Sequence, residues 1–284
     1  MSAFEERLRA ALLGFAIGDT LGATVEFMSP EEIKREIGVH RDITGGGWLD
    51  LKPGEITDDT QMTLCVASSL VACGGFDAAD MAERLLAWLD TDPEDVGNAC
   101  RSGLELYRET GLPERPESAN QAGNGALMRI LPFAIRYAND PVVMGRYALQ
   151  HAHLTHNHEL SDQACLRYLT MVVTALQGAS KEQLKGYTSG NTWESGKYDG
   201  EAGGFVVETM NTVLHCFFTT STFEDALVKC VNLGGDADTT GAILGGLAGA
   251  FYGLEAIPAR WLDALDQSVY NELIELAEQL SVLK

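Results

Sequence analysis

The sequence predicts an all-α protein: one compact domain of ten or more helices. Three observations predict it. Apolar residues recur at helical spacing along most of the chain, as in Leu8, Leu12 and Phe15, or Met81, Leu85, Trp88 and Leu89. No run of alternating β-branched residues lies between turns, so no strand is expected. The 284 residues, 45% of them hydrophobic, suffice for a sizeable core, and no repeat or low-complexity tract divides them. Residues 1–284 therefore read as a single domain.

The formal net charge is −21, from 20 Lys and Arg against 41 Asp and Glu. Such a surface repels nucleic acid and anionic membrane. It does not exclude a phosphate-bearing ligand, which a metal ion or a helix N-terminus can hold locally. The six cysteines (65, 73, 100, 165, 216 and 230) form no C-x-x-C pair and read as reduced core residues of a cytoplasmic protein. The N-terminus lacks a signal peptide's layout. The longest small-apolar stretch, 241–253, is too short to span a bilayer.

Taken in order, residues 4–17 form an amphipathic helix that ends at Gly18-Asp19-Thr20-Leu21-Gly22. Asp19 and Glu26 sit in an apolar setting; each reads either as a capping or salt-bridged acid or as a carboxylate held for function. Gly45-Gly46-Gly47-Trp48 lets backbone approach something closely. Helices follow near 61–73 and 77–90, the second capped by Asp77. Asp95 and Asn98 lie in a turn opening another helix, and read either as no more than a cap and a turn residue or as functional groups. Gly123-Asn124-Gly125 leads into a helix expected to kink at Pro132. Glycine-rich loop into helix is a recipe for cradling phosphate, although neither a Walker loop nor a dinucleotide fingerprint is present.

His151, His153, His156 and His158 follow within eight residues. They lack the cysteines and spacing of a zinc site. His156 and His158 read as ligand-contacting loop residues, His151 and His153 as helix-end residues. A helix spans about 160–176. The Gly/Ser-rich loop 186–204, with Trp193, has the length of a functional or mobile segment, such as a lid. Phe205 opens a helix, and further helices are expected near 222–231, 241–253 and 259–283.

Two acidic clusters stand out, Thr57-Asp58-Asp59-Thr60 and Asp236-Ala237-Asp238-Thr239-Thr240, each just before an apolar helix. A cap needs one such residue, not several. Carboxylates brought together repel unless something positive lies between them, so the pair suggests a metal site. An all-oxygen donor set suits Mg²⁺ or Mn²⁺ rather than zinc.

These segments, with Gly18-Asp19…Glu26-Phe27, Gly45-Gly46-Gly47-Trp48, Asp95-Val96-Gly97-Asn98, Gly123-Asn124-Gly125-Ala126 and Thr155-His156-Asn157-His158, resemble in residues and order the ADP-ribosylglycohydrolase family. The likeness is strongest to its nitrogenase-regulating branch. The resemblance implies an all-α bundle around a dinuclear centre of two divalent cations, Mg²⁺ or Mn²⁺. Thr57, Asp58 and Asp59 would be ligands from one side, and Asp236, Asp238 and Thr239 from the other. It implies hydrolysis of the bond between ADP-ribose and a protein arginine, with the nitrogenase iron protein as target. A PII-type signalling protein is the implied partner, through which the enzyme would associate peripherally with a membrane.

By the same resemblance Glu26 and Asp95 are the catalytic candidates. Asn98, Gly123, Asn124, Gly125, His156 and His158 would contact substrate. Phe205, where relatives carry tyrosine, would stack on adenine; ordinary core packing is the alternative. Other targets (toxin immunity, serine-linked or small-molecule ADP-ribose) and a non-catalytic binding role are the competing readings.

Overall fold

Two stretches carry glycine at every fourth position, Gly14-Gly18-Gly22 and Gly241-Gly245-Gly249, which places each set on one face of a helix. In the structure, a computed structural model describing residues 2–188, 198, 200 and 202–283, these two faces lie against each other. The approach is backbone to backbone. A Cβ built on Gly18 would stand 1.9 Å from the Gly241 carbonyl oxygen, and one on Gly22 would stand 2.1 Å from that of Ala237.

Among the described residues there are fourteen α-helices and no named strand. They are α1 (Ala3–Ala23), α2 (Pro30–Glu36), α3 (Asp58–Ala72), α4 (Ala78–Leu89), α5 (Asn98–Thr110), α6 (Leu131–Arg136), α7 (Pro141–Ala152), α8 (Glu159–Leu176), α9 (Lys181–Lys185), α10 (Val206–Thr219), α11 (Phe223–Val231), α12 (Ala237–Tyr252), α13 (Ala259–Ala264) and α14 (Gln267–Val282). The α1–α12 pair is the axis. Helices α3, α8, α10 and α11 pack around α12, and α14 packs on α1 and α3. No helix among the described residues is long and apolar enough to cross a membrane.

The boundaries differ from the sequence reading in ways that bear on the site. α1 runs on to Ala23, so Asp19 projects from inside a helix instead of following one. α12 is buried on all sides over most of its length, not on one face, because its small residues seat against α1. Pro132 kinks nothing: a 3₁₀ turn, Leu127–Arg129, precedes α6, and Pro132 occupies the first turn of α6, where a missing N–H costs no bond. The single helix expected over 259–283 is two helices. Asp266 separates them and caps α14 through Ser268 and Val269. All six cysteines are free, and Cys73, expected in the core, is exposed at the end of α3. Most of the 186–204 loop, Trp193 included, lies outside the described residues, and with it the lid expectation.

Candidate metal centre and cleft

The floor of the site is where α3 and α12 begin. Asp19, fully buried, explains how α3 is aimed. Its carboxylate accepts from the backbone N–H of Thr57 (3.2 Å) and of Thr60 (3.1 Å), and from the Thr60 hydroxyl. It thus takes up unpaired donors at the α3 N-terminus from a neighbouring helix. The capping reading of Asp19 holds, and the cap sets the positions of Asp58 and Asp59. Opposite, the Thr239 hydroxyl donates to Asp59 Oδ2 at 3.0 Å, tying the first turn of α12 to that of α3. Thr57 is the N-cap of α3, its hydroxyl accepting from the Asp59 N–H.

The fold brings two carboxylate groups together. Asp58, Asp59 and Asp238 each offer an oxygen within 4.8 Å of the others, and so do Glu26, Asp95 and Asp238. Asp238 belongs to both. Asp59 Oδ1 and Asp238 Oδ1 are buried without a hydrogen-bond partner among the described residues. Burial is the first cause that pushes Asp58, Asp59 and Asp238 well above the usual carboxylate range, and repulsion from neighbouring acids adds to it, Asp95 foremost at Asp58, Asp58 at Asp59 and Asp59 at Asp238. Glu26 is pushed up to about 8, first by burial, while the Trp48 indole N–H, donating to Oε2 at 2.6 Å, works the other way. Asp95 is raised by burial and lowered in part by a hydrogen bond with Asp58.

No lysine or arginine among the described residues lines this cavity to offset the acids. Buried, unpartnered carboxylate oxygens facing one another are costly unless a cation lies between them. The residues present therefore fit divalent cations bound through oxygen, with Asp238 placed between two groups. Asp236 belongs to neither group but adjoins them: its Oδ2 accepts from the Asn124 side-chain amide at 2.6 Å, it lies within hydrogen-bonding reach of Asp238 and Thr239, and it lines the cavity wall.

The cavity above the floor measures about 470 Å³. Asn98, Ala99 and Cys100 line it from the start of α5, whose N-cap, Gly97, makes no side-chain cap bond. Helix geometry leaves those first N–H groups without an intrahelical acceptor. Gly123, Asn124 and Gly125 line it as well, with Gly125 against α5: a Cβ there would stand 2.7 Å from the Cys100 sulfur. The Asn124 N–H is spent on the Gly204 carbonyl (3.0 Å), so this loop is fastened to residues 204–206 and offers less backbone to a phosphate than the sequence suggests. His156 lies directly behind it; a Cβ on Gly125 would stand 2.7 Å from the ring. His158 does not reach the cavity: it is the N-cap of α8 and accepts from the Leu160 N–H. Phe205 is 42% exposed beside Gly123, which removes the core-packing alternative.

The pattern of the family described as ADP-ribosylglycohydrolase matches residues 1–284. The chain belongs to that family. It is 46% identical to the ADP-ribosyl-[dinitrogen reductase] glycohydrolase of Rhodospirillum rubrum, over 98% of this chain and 96% of that one. It is 31% identical to the ADP-ribosylarginine hydrolase Tri1 of Pseudomonas putida, over 98% of this chain and 80% of the relative. A solved structure described as an ADP-ribosylglycohydrolase-related protein complex superposes with a TM-score of 0.87 at 37% identity, covering 100% of this chain and 99% of the other. The fold is that of the ADP-ribosylglycohydrolases.

One supporting group escapes sequence reading. Arg129 is completely buried. It donates to the Gly125 carbonyl (2.6 Å), the Thr155 hydroxyl (2.6 Å) and His151 Nε2 (3.0 Å). Arginine only donates, so the Thr155 hydroxyl hydrogen is free for its other partner, His156 Nδ1, at 2.8 Å. With that hydrogen given to Nδ1, Nε2 carries the ring N–H and faces the glycine loop. His156 is pushed down to about 3, first by burial and then by Arg129, and stays neutral. The available signal was an arginine inside the apolar run Leu127 to Phe133, which calls for a buried partner.

Proposed function

We propose that this protein is a metal-dependent hydrolase that removes ADP-ribose from a modified arginine, with the nitrogenase iron protein as target and two Mg²⁺ or Mn²⁺ ions at the floor. The observation that carries the reading is Asp238, which completes two carboxylate groups at once and keeps a buried oxygen without a partner among the described residues. The 46% identity to a glycohydrolase of dinitrogen reductase supports the target. Asp58, Asp59 and Asp238, with Thr57, Asp236 and Thr239 beside them, would hold the cations. Bound there, divalent cations orient ribose hydroxyls and make a water more acidic.

The chain's own residues do the rest. Cleavage at the anomeric carbon builds positive charge on the ribose ring, which Glu26 and Asp95, grouped with Asp238, are placed to stabilise. Trp48 holds Glu26 through Oε2, which leaves Oε1 to take the proton of the attacking water. A guanidinium joined to ribose departs as neutral guanidine, so a strong general acid matters less than a base. The first N–H groups of α5 and the Gly123–Gly125 wall are suited to the diphosphate, with His156 Nε2 as a further donor. Phe205, exposed at the rim, presents a ring for adenine.

The test is release of ADP-ribose from an arginine-ADP-ribosylated protein with Mn²⁺, with Mg²⁺ and after chelation, alongside an Asp59→Ala, Asp238→Ala double variant. Release that needs both the metal and the aspartates is expected. Metal bound with no release from arginine would sink the arginine linkage, and neither binding nor release would favour a non-catalytic role. Likeness to Tri1 supports a second reading with the same linkage and another target. Activity on other arginine-modified proteins but not on the iron protein would select it. The nitrogenase reading also brings a PII-type partner and peripheral membrane association; failure to co-purify with PII would remove both.

A further inference from the structure

The mouth of the cavity carries a feature that the chemistry at its floor leaves unexplained. Phe27 and Trp48 are 66% and 49% exposed. Their rings touch, with centroids 5.5 Å apart at 45°. Two large aromatic side chains side by side in water are unfavourable unless something covers them.

Their positions are built. Phe27 holds φ at 63°, the left-handed region that a bulky residue rarely adopts. It is held by a two-way backbone pair next to the acidic floor: the Phe27 N–H donates to the Gly235 carbonyl at 2.7 Å, and the Gly235 N–H donates to the Met28 carbonyl at 2.9 Å. Trp48 is fixed by its indole N–H on Glu26 at 2.6 Å. The loop before it is pressed onto α1, where a Cβ on Gly47 would stand 2.3 Å from the Ala23 carbonyl oxygen. A strained backbone and a buried acid thus hold two aromatic rings toward solvent.

We propose that the Phe27–Trp48 pair is the docking platform for the planar guanidinium of the arginine that loses its ADP-ribose. This rests on the arginine linkage read above and names the group that makes the site specific for it. Guanidinium is weakly hydrated and stacks on aromatic faces. Charge complements shape, since Glu26 and Asp95 line the same cavity and no lysine or arginine among its described lining opposes a cation. The rings already touch, so the cation lies over their outward faces and not between them. Trp48 bonds Glu26, one of the two acids assigned to the scissile bond, which puts the platform on the leaving-group side. A serine-linked ADP-ribose has no planar cation and gains nothing there.

The experiment titrates agmatine, a free guanidinium probe, into full-length protein loaded with Mn²⁺ and ADP-ribose, and measures KM for an arginine-linked substrate in parallel. In a Phe27→Ala, Trp48→Ala double variant, agmatine should bind about tenfold more weakly and KM should rise to match, with ADP-ribose affinity kept, while kcat falls through the lost bond to Glu26. A Trp48→Phe variant keeps a ring but drops the bond to Glu26; retained agmatine affinity there separates stacking from any effect through the acid. Equal agmatine affinity in wild type and double variant overturns the platform, as does failure of agmatine to bind the loaded wild type. The two proposals fail separately. Platform-dependent agmatine binding without arginine-linked hydrolysis would sink the reaction and leave the platform. Hydrolysis with platform-independent binding would do the reverse.

Discussion

The floor and the mouth of the cavity are made of similar residues under opposite constraints. At the floor, glycines of α1 and α12 remove side chains so that two backbones touch, and the acids that follow are buried with no freedom to turn. At the mouth, Gly47 and Gly235 also seat backbone against backbone, but what they hold up, Trp48 and Phe27, faces water. The floor concentrates charge that a proton or a cation relieves; the mouth presents apolar surface that a ligand would cover. Rigid support is common to both, and the difference lies in what each leaves unsatisfied.

The largest expected effect breaks the floor. Gly18→Val would drive a side chain into the Gly241 carbonyl oxygen, 1.9 Å from the Cβ position. Overpacking of this kind costs about 1–3 kcal/mol where side chains can yield, and more where backbone must move. A melting temperature lower by ten degrees or so, with loss of bound metal, is expected; unchanged melting would show that the seam is looser than described.

Next come the two acids between floor and mouth. Of Glu26→Gln and Asp95→Asn, compared in protein shown to hold its metal, the one that removes the base should cut kcat by about 10² or more. If neither falls tenfold, both assignments fail. The larger loss names the base, which sharpens where floor ends and mouth begins.

A smaller effect reads the charge at the floor directly. Glu26 is held at about 8 in the fold against an ordinary 4.5, and Asp58, Asp59 and Asp238 are raised as well. The folded state therefore binds these protons more tightly than the unfolded one, and stability falls as pH rises through that window. His151 and His156, lowered from 6.5, act oppositely but only below 6.5. Between pH 6.5 and 8 chelated protein should lose melting temperature, and Mn²⁺ should flatten or reverse the slope by favouring ionised carboxylates. A flat profile under chelation would mean that the acids are already compensated.

The smallest effect is at the glycine wall. Thr155→Val removes the hydroxyl between Arg129 and His156. KM should rise a few-fold with kcat nearly kept, and the histidine ¹⁵N shifts should report a changed tautomer mixture. Unchanged shifts would show that Thr155 does not set the His156 tautomer.

Much of the fold and floor was legible in the chain. Helical spacing located the helices, and two short runs of Asp and Thr before apolar helices located the acids, because a cap does not need so many. What misled was local. Pro132 looked like a kink but lies in a first turn, and His158 looked like a ligand contact but is a cap. In both cases position within a helix outweighs residue type.

The sequence by itself determined the helical class, the acidic character of the floor and the family, since periodicity and ordered motifs are properties of the chain. Only the tertiary structure decided that Asp238 serves two carboxylate groups, that Asp19 caps a neighbouring helix, that Arg129 stands behind the histidine and that Phe27 meets Trp48 at the mouth. Those relations join residues tens to hundreds of positions apart. They exist because α1 and α12 approach along glycines closely enough to bring the starts of α3 and α12 within reach of each other.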